Sequence, residues 1–385
     1  PKNVPGYVRL SIYRHTMVRA HTTCRYNLLL TLKKRTMNRF LTICLCFGVM
    51  AARAQTPYQT KDSLNINRIN AMALVHGDMW YDPATYEPRC QFPPDSKKNV
   101  GFVSSVWLSG YDNTGGLHIA AQTYRQDGND YWPGPLDGTG SLSLATSGNW
   151  AKIWKINRSE VNYFLLLTSH TITNTPASIL PWPGKGNTNA AGRAGVALTV
   201  TNDMAPFKDL NGDGIYQPLN GEYPDFPGEQ ALWWVFSDNG PTHTQTNAAP
   251  LKAEIQVLAY GYNRGTLIDY AVFYDYTIIN RSAMNYNNMR MAIWSDVDLG
   301  YYLDDYIAVD SARRMGIVYN ANNDDGVAAG HPVGSYGANP PASGITILRF
   351  PGDVGSAWVP MGSFVSYDNS MAVNGNPVTA ADFNY

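Results

Sequence analysis

Cysteine is scarce in this chain of 385 residues: there are four, and Cys24, Cys44 and Cys46 all fall within the first 54. If that stretch is lost on export, Cys90 stands alone, which excludes an intramolecular disulfide and a thiolate-based metal site. Long apolar runs are also missing. The run from Phe40 to Ala52 is too short to anchor in a bilayer, which takes about 20 residues. Asp and Glu are absent from Pro1 through Ala54, a stretch that holds ten of the 29 Lys and Arg. Catalytic signatures are lacking too: there is no H-E-x-x-H, no G-x-S-x-G, no phosphate-cradling glycine loop and no G-x-G-x-x-G between a strand and a helix. Those absences set aside the common zinc-hydrolase, serine-hydrolase and dinucleotide-binding classes. His76, His118, His170, His243 and His331 are far apart in sequence and read as structural or exposed.

The N-terminal part carries a different message. Asn38 and Arg39 after Met37, the apolar run, and Ala52-Arg53-Ala54 form the three parts of a secretory signal peptide, residues 37–54, cleaved after Ala54. Residues 1–36 read as upstream or mis-started sequence outside the fold. The expected mature region, 55–385, keeps 19 basic against 30 acidic residues, a formal charge of −11. Such a balance disfavours nucleic acid and anionic membranes as partners and favours export and cation binding. No membrane-spanning segment is expected in the mature chain, and the signal peptide makes it an exported one.

Period-two alternation recurs between turn-rich stretches, which is the pattern of half-buried strands. Between Asp269 and Asn280 the residues Tyr270, Val272, Tyr274, Tyr276 and Ile278 share one face, and Ala253–Tyr262 alternates likewise. Further strands are expected at Val100–Leu108, Leu117–Tyr124, Ala151–Asn157, Tyr163–Thr168, Ala231–Phe236, Met289–Trp294, Gly316–Tyr319 and Gly344–Phe350. The expected fold is all-β, an antiparallel β-sandwich, in one body or two packed β subdomains, with long calcium-stabilised loops. A soft internal boundary is expected at 176–189, where Pro181, Pro183, Gly184 and Gly186 cluster.

One segment has ligand spacing. From Asp209 to Asn220, oxygen-bearing residues Asp209, Asn211 and Asp213 alternate, Gly214 takes the sharp turn and the Ile215 carbonyl follows, as in the first half of a calcium loop. Asn220 stands where a bidentate Glu closes the helix-loop-helix form, and Glu222 or Asp225 lies just outside that frame to supply the carboxylate. Pro206 and Pro218 argue against flanking helices. The expected ion is Ca²⁺, with Asp209, Asn211, Asp213, Ile215, Asn220 and Glu222 as candidate ligands. A second acidic cluster, Asp296, Asp298, Asp304 and Asp305, reads as a candidate for a second ion, since close carboxylates repel when dry and unpaired. Trp132 and Trp182, in Pro- and Gly-rich loops, are candidates for stacking on sugar rings, against the alternative that they fill the core.

Several ordered segments also carry a resemblance: Trp107-Leu108-Ser109-Gly110-Tyr111-Asp112, the stretch Gln122 through Pro135, Ala205-Pro206-Phe207 through the candidate loop to Pro224, Trp233-Trp234-Val235-Phe236, Trp294 through Asp298, and Asp304-Asp305-Tyr306. Together they resemble the N-terminal region of large secreted proteins of the Bacteroidota, which typically end in a type IX secretion sorting domain. The resemblance implies export to the cell surface or medium and no particular reaction. It also implies a longer protein, since the chain stops mid-pattern at Tyr385 without the sorting domain. The expected function is a non-catalytic calcium-binding module serving adhesion, matrix or display, with cell-surface or extracellular glycans or proteins as partners. The alternative is part of a secreted polysaccharide-active enzyme, whose carboxylate pair is defined by separation in space.

Overall fold

The structure, a computed structural model, describes residues 56–123, 128–350, 353, 359–366 and 380–383. The signal-peptide segment 37–54 and the stretch 1–36 lie outside the described residues. In chain order the longer strands are β1 (Lys61–Leu64), β2 (Asn70–Leu74), β3 (Val103–Tyr111), β4 (Leu117–Ala120), β5 (Trp154–Asn157), β6 (Gln230–Ser237), β7 (Ala253–Gly261), β8 (Val272–Asn280), β9 (Asn287–Asp296), β10 (Asp305–Asp310), β11 (Met315–Asn320) and β12 (Ala342–Thr346). Two short helices intervene, α1 (Leu144–Trp150) and α2 (Arg158–Leu165).

The strands form several small antiparallel sheets rather than one closed sandwich. The most regular has the order β5-β6-β7-β8, and Trp132–Pro133 adds to β6. A second joins β1 and β2 to Cys90–Gln91 and Asn99–Gly101, a third has the order β9-β3-β4, and a fourth β10-β11-β12. In register, Trp234 of β6 faces Val257 of β7, which faces Tyr276 of β8.

β6 shows how period two becomes architecture. All eight of its residues are buried. Leu232, Trp234 and Phe236 enter one core with Val106 and Leu108 of β3 and Ile255 and Val257 of β7, while Ala231, Trp233 and Val235 enter another with Trp154, Phe164, Trp182 and Tyr216. Val272, Tyr274, Tyr276 and Ile278 of β8 pack on the first core, the face expected from their spacing. Tyr270 departs from that face: Leu267–Tyr270 is a 3₁₀ turn and its ring is half exposed. A smaller core gathers Ile69, Ala71, Met79, Trp80 and Cys90.

The strand expected at Tyr163–Thr168 is instead the end of α2 and the turn after it. The reason lies at the start of that helix, where Glu160 Oε2 accepts from Asn157 N at 2.9 Å and from Asn157 Nδ2 at 2.8 Å. Such a reciprocal cap starts a helix just ahead of the apolar run. Val161 and Phe164 are then buried, three apart on one helical face. The 176–189 segment contributes Ile179 and Trp182 to the same core as β6. The long stretch between α2 and β6 is held by side chains: Trp154 Nε1 donates to Pro181 O at 3.2 Å, Trp182 Nε1 to Pro206 O at 3.0 Å, and Asn187 Nδ2 to Trp182 O at 2.8 Å. Among the described residues no helix is long and apolar enough to cross a membrane.

Candidate metal centre

The Asp209 loop is closed by a two-rung hairpin. Phe207 pairs with Pro224 and Lys208 with Tyr223, so the next residues inward, Asp209 and Glu222, are brought opposite each other. Lys208 Nζ is 2.7 Å from Asp225 Oδ2, and that ion pair occupies the other carboxylate near the loop's end. Below the loop, Tyr216 is buried, its hydroxyl donates to Ile179 O at 2.9 Å, and its ring packs 5.2 Å from that of Phe207. The loop is therefore seated on the second core.

Within the loop the carboxylates organise the backbone. Asp209 Oδ1 accepts from Gly212 N at 2.7 Å and Oδ2 from Gly214 N at 2.8 Å, contacts that hold its carboxyl below the ordinary value, the Gly214 N–H foremost. Gly212 and Gly214 both have positive φ, 77° and 73°, which only glycine adopts without strain. Asp213 Oδ1 accepts from Ile215 N at 2.7 Å, and its Oδ2 receives Asn211 Nδ2 at 2.9 Å and Gln217 Nε2 at 2.7 Å. Glu222 is buried, 1% exposed, and accepts from Leu210 N at 3.1 Å and Gln217 N at 2.7 Å.

One oxygen each from Asp209, Asp213 and Glu222 lies within 4.8 Å of the others. Ligand oxygens about 2.4 Å from a common ion are at most twice that far apart, so this cluster is capable of coordinating a metal ion. It is the only such group of three among the described residues. Asn211 Oδ1 accepts from Asp213 N at 3.0 Å. Ile215 contributes its N–H to Asp213, and Asn220 spends its side-chain amide on Gln217 Oε1.

The second acidic cluster is placed differently. Asp296 ends β9, and Asp304 and Asp305 stand where β10 begins. Asp304 accepts from Asn320 Nδ2 and Gly326 N, each at 2.9 Å, while Asp305 Oδ2 accepts from Leu299 N at 2.9 Å. Burial, with neighbouring carboxylates, pushes Asp298 up to about 7 and Asp305 up to about 8. Among the described residues no three of these four carboxylates have oxygens within 4.8 Å of one another, the spacing found at Asp209, Asp213 and Glu222.

The tryptophan reading is corrected. Trp132 and Trp182 are wholly buried, and their indole N–H groups are used by Thr242 O at 2.8 Å and Pro206 O at 3.0 Å. Neither offers a face to a sugar, because flanking Pro and Gly here let the chain fold over the ring instead of exposing it.

Linear spacing gave no sign of a third grouping. Asp130 and Asp238 are fully buried on either side of His243, which is 3.3 Å from Asp130 Oδ1 through Nδ1 and 4.0 Å from Asp238 Oδ2 through Nε2. Burial raises both carboxyls, Asp238 to about 7, and lowers His243. Nearby, His76 is buried 3.9 Å from Asp78 and is pushed down to about 4 by desolvation. Comparison with protein-family models, with curated proteins and with solved structures finds no match for this chain.

Proposed function

We propose that the chain is a non-catalytic, calcium-binding β-rich module of a secreted or cell-surface protein, in which the ion staples the loop between α2 and β6. The observation that carries this reading is the convergence of Asp209, Asp213 and buried Glu222 at the mouth of a hairpin. An all-oxygen donor set without His or Cys suits a hard cation, and an irregular loop suits the flexible coordination of Ca²⁺ better than the strict octahedron of Mg²⁺. The signal-peptide pattern and the resemblance to exported Bacteroidota proteins support the extracellular setting, where modules bind Ca²⁺ at roughly 10⁻⁴–10⁻³ M. With cysteine nearly absent, an ion is the remaining cross-link for this loop. At a hundredfold excess over its dissociation constant it adds about 2.7 kcal/mol to stability. Adhesion, matrix or display on a larger protein is the role that such a module fills. Burial of Trp132 and Trp182 weighs against a polysaccharide-active enzyme built on those rings.

The test is calorimetric titration of decalcified protein. Saturable Ca²⁺ binding and a rise in melting temperature over an EGTA control are expected, with a smaller response to Mg²⁺. No heat and no thermal shift would end the calcium reading.

A further inference from the structure

We propose that His243, wedged between the buried carboxylates of Asp130 and Asp238, is a proton-operated latch on the loop that joins β6 to β7. The two carboxylates hold that loop along its length. Asp130 accepts from Gln245 N at 2.8 Å, Thr246 N at 3.3 Å and Thr246 Oγ1 at 2.8 Å, and also from Ala121 N at 3.2 Å. Asp238 accepts from Leu251 N at 2.5 Å and Ala253 N at 2.7 Å. His243 lies in the middle of this clasp with a side chain 9% exposed, and neither ring nitrogen makes a hydrogen bond of good geometry.

A neutral imidazole has one N–H, so it satisfies one flanking carboxylate and turns a lone pair toward the other. Asp130 already receives four donors and is the natural anion of the pair, which directs Nδ1–H toward it. Nε2 then faces Asp238 Oδ2 across 4.0 Å, and a proton on that carboxyl removes the repulsion between its charge and the lone pair. Removing that proton leaves two carboxylates and a lone pair together out of water, a state relieved by letting the loop admit solvent. Asp238 is raised and His243 lowered by burial, consistent with the proton residing on the carboxyl. The other titratable groups around the clasp are Asp78 and His76 in the turn after β2, Tyr131 beside Asp130, Tyr276 of β8, and Tyr286 near Asp238. His118 of β4 also meets this loop, its Nδ1 2.7 Å from Pro250 O and its Nε2 3.1 Å from Asp112 Oδ2.

The experiment is amide hydrogen exchange on the whole chain at pH 6 and pH 8.5, corrected for intrinsic base catalysis. Protection of Gln245, Thr246, Leu251 and Ala253 is expected to fall about tenfold or more at the higher pH, with the rest of β6 and β7 unchanged. Asp238→Asn, which cannot give up that proton, should remove that step. Equal protection at both pH values, a uniform loss along the chain, or a step that survives in Asp238→Asn overturns the proposal. If the variant does not fold, the ring ¹⁵N shifts of His243 in the native protein decide: Nε2 should move across this range, and a constant shift overturns the latch.

Discussion

Glu222 is the residue on which the candidate metal centre turns. It is the one ligand candidate of the three carboxylates that is buried, and both of its oxygens are aligned by backbone N–H groups. Glu222→Gln keeps the shape but removes the charge and points an amide N–H₂ at a backbone donor. Ca²⁺ affinity should drop about tenfold or more, whereas Asn220→Ala, whose side chain serves Gln217, should leave it nearly unchanged; paired calorimetric titrations check both. Asp209, Asn211 and Asp213 were legible in the sequence because alternate spacing around two glycines is local information. The approach of Glu222 was legible only as a residue just beyond a twelve-residue frame, since the partner comes from hairpin pairing instead of a following helix. The Asp130–His243–Asp238 grouping left no trace in the sequence, because α1, β5, α2 and β6 all lie between Asp130 and the loop that carries the other two.

At the scale of elements, strands with a sustained alternation of large apolar residues were readable and short strands without it were not. β6, β7 and β8 announce themselves through alternating Val, Ile, Tyr and Trp, while β1, β2 and β10 are short and mix Asp, Asn and Ser into the pattern. The run near Tyr163 reads as a strand because a short apolar run has no decisive period. The signal that settles it is the pair Asn157 and Glu160, three apart. Glu160 also accepts from Ser178 Oγ at 2.7 Å, so it ties the helix start to the following loop. Glu160→Ala should cost about 1 kcal/mol, measured as a shift of the urea midpoint without a change of slope.

Across the whole molecule, the buried imidazole of His76 sets an acid limit. Its folded value lies near 4, against an ordinary 6.5, so between those values the unfolded chain takes up a proton that the folded protein refuses. The stabilising contribution is present above 6.5 and is lost as pH falls toward 4, by about 3 kcal/mol in full. Asp238, raised to about 7, works in the other sense: its contribution is complete below about 4 and fades as pH rises through 7. Urea unfolding of the protein and of His76→Gln at pH 6.5 and 4.5 isolates this contribution from the opposing ones of Asp238, Asp298 and Asp305: the histidine protein should lose about 2 kcal/mol relative to the variant on the acid side. The all-β class was legible from composition and alternation, whereas the partition into small sheets was not, because pairing between distant strands follows from which faces meet in the interior.

That interior has one consequence for how the protein comes apart. β6 is a party wall: Trp234 and its neighbours on one side and Trp233 and its neighbours on the other belong to different rooms. Neither room keeps its shape once the wall is gone, so the Asp209 loop and the opposite sheets share a single fate despite their separate linings.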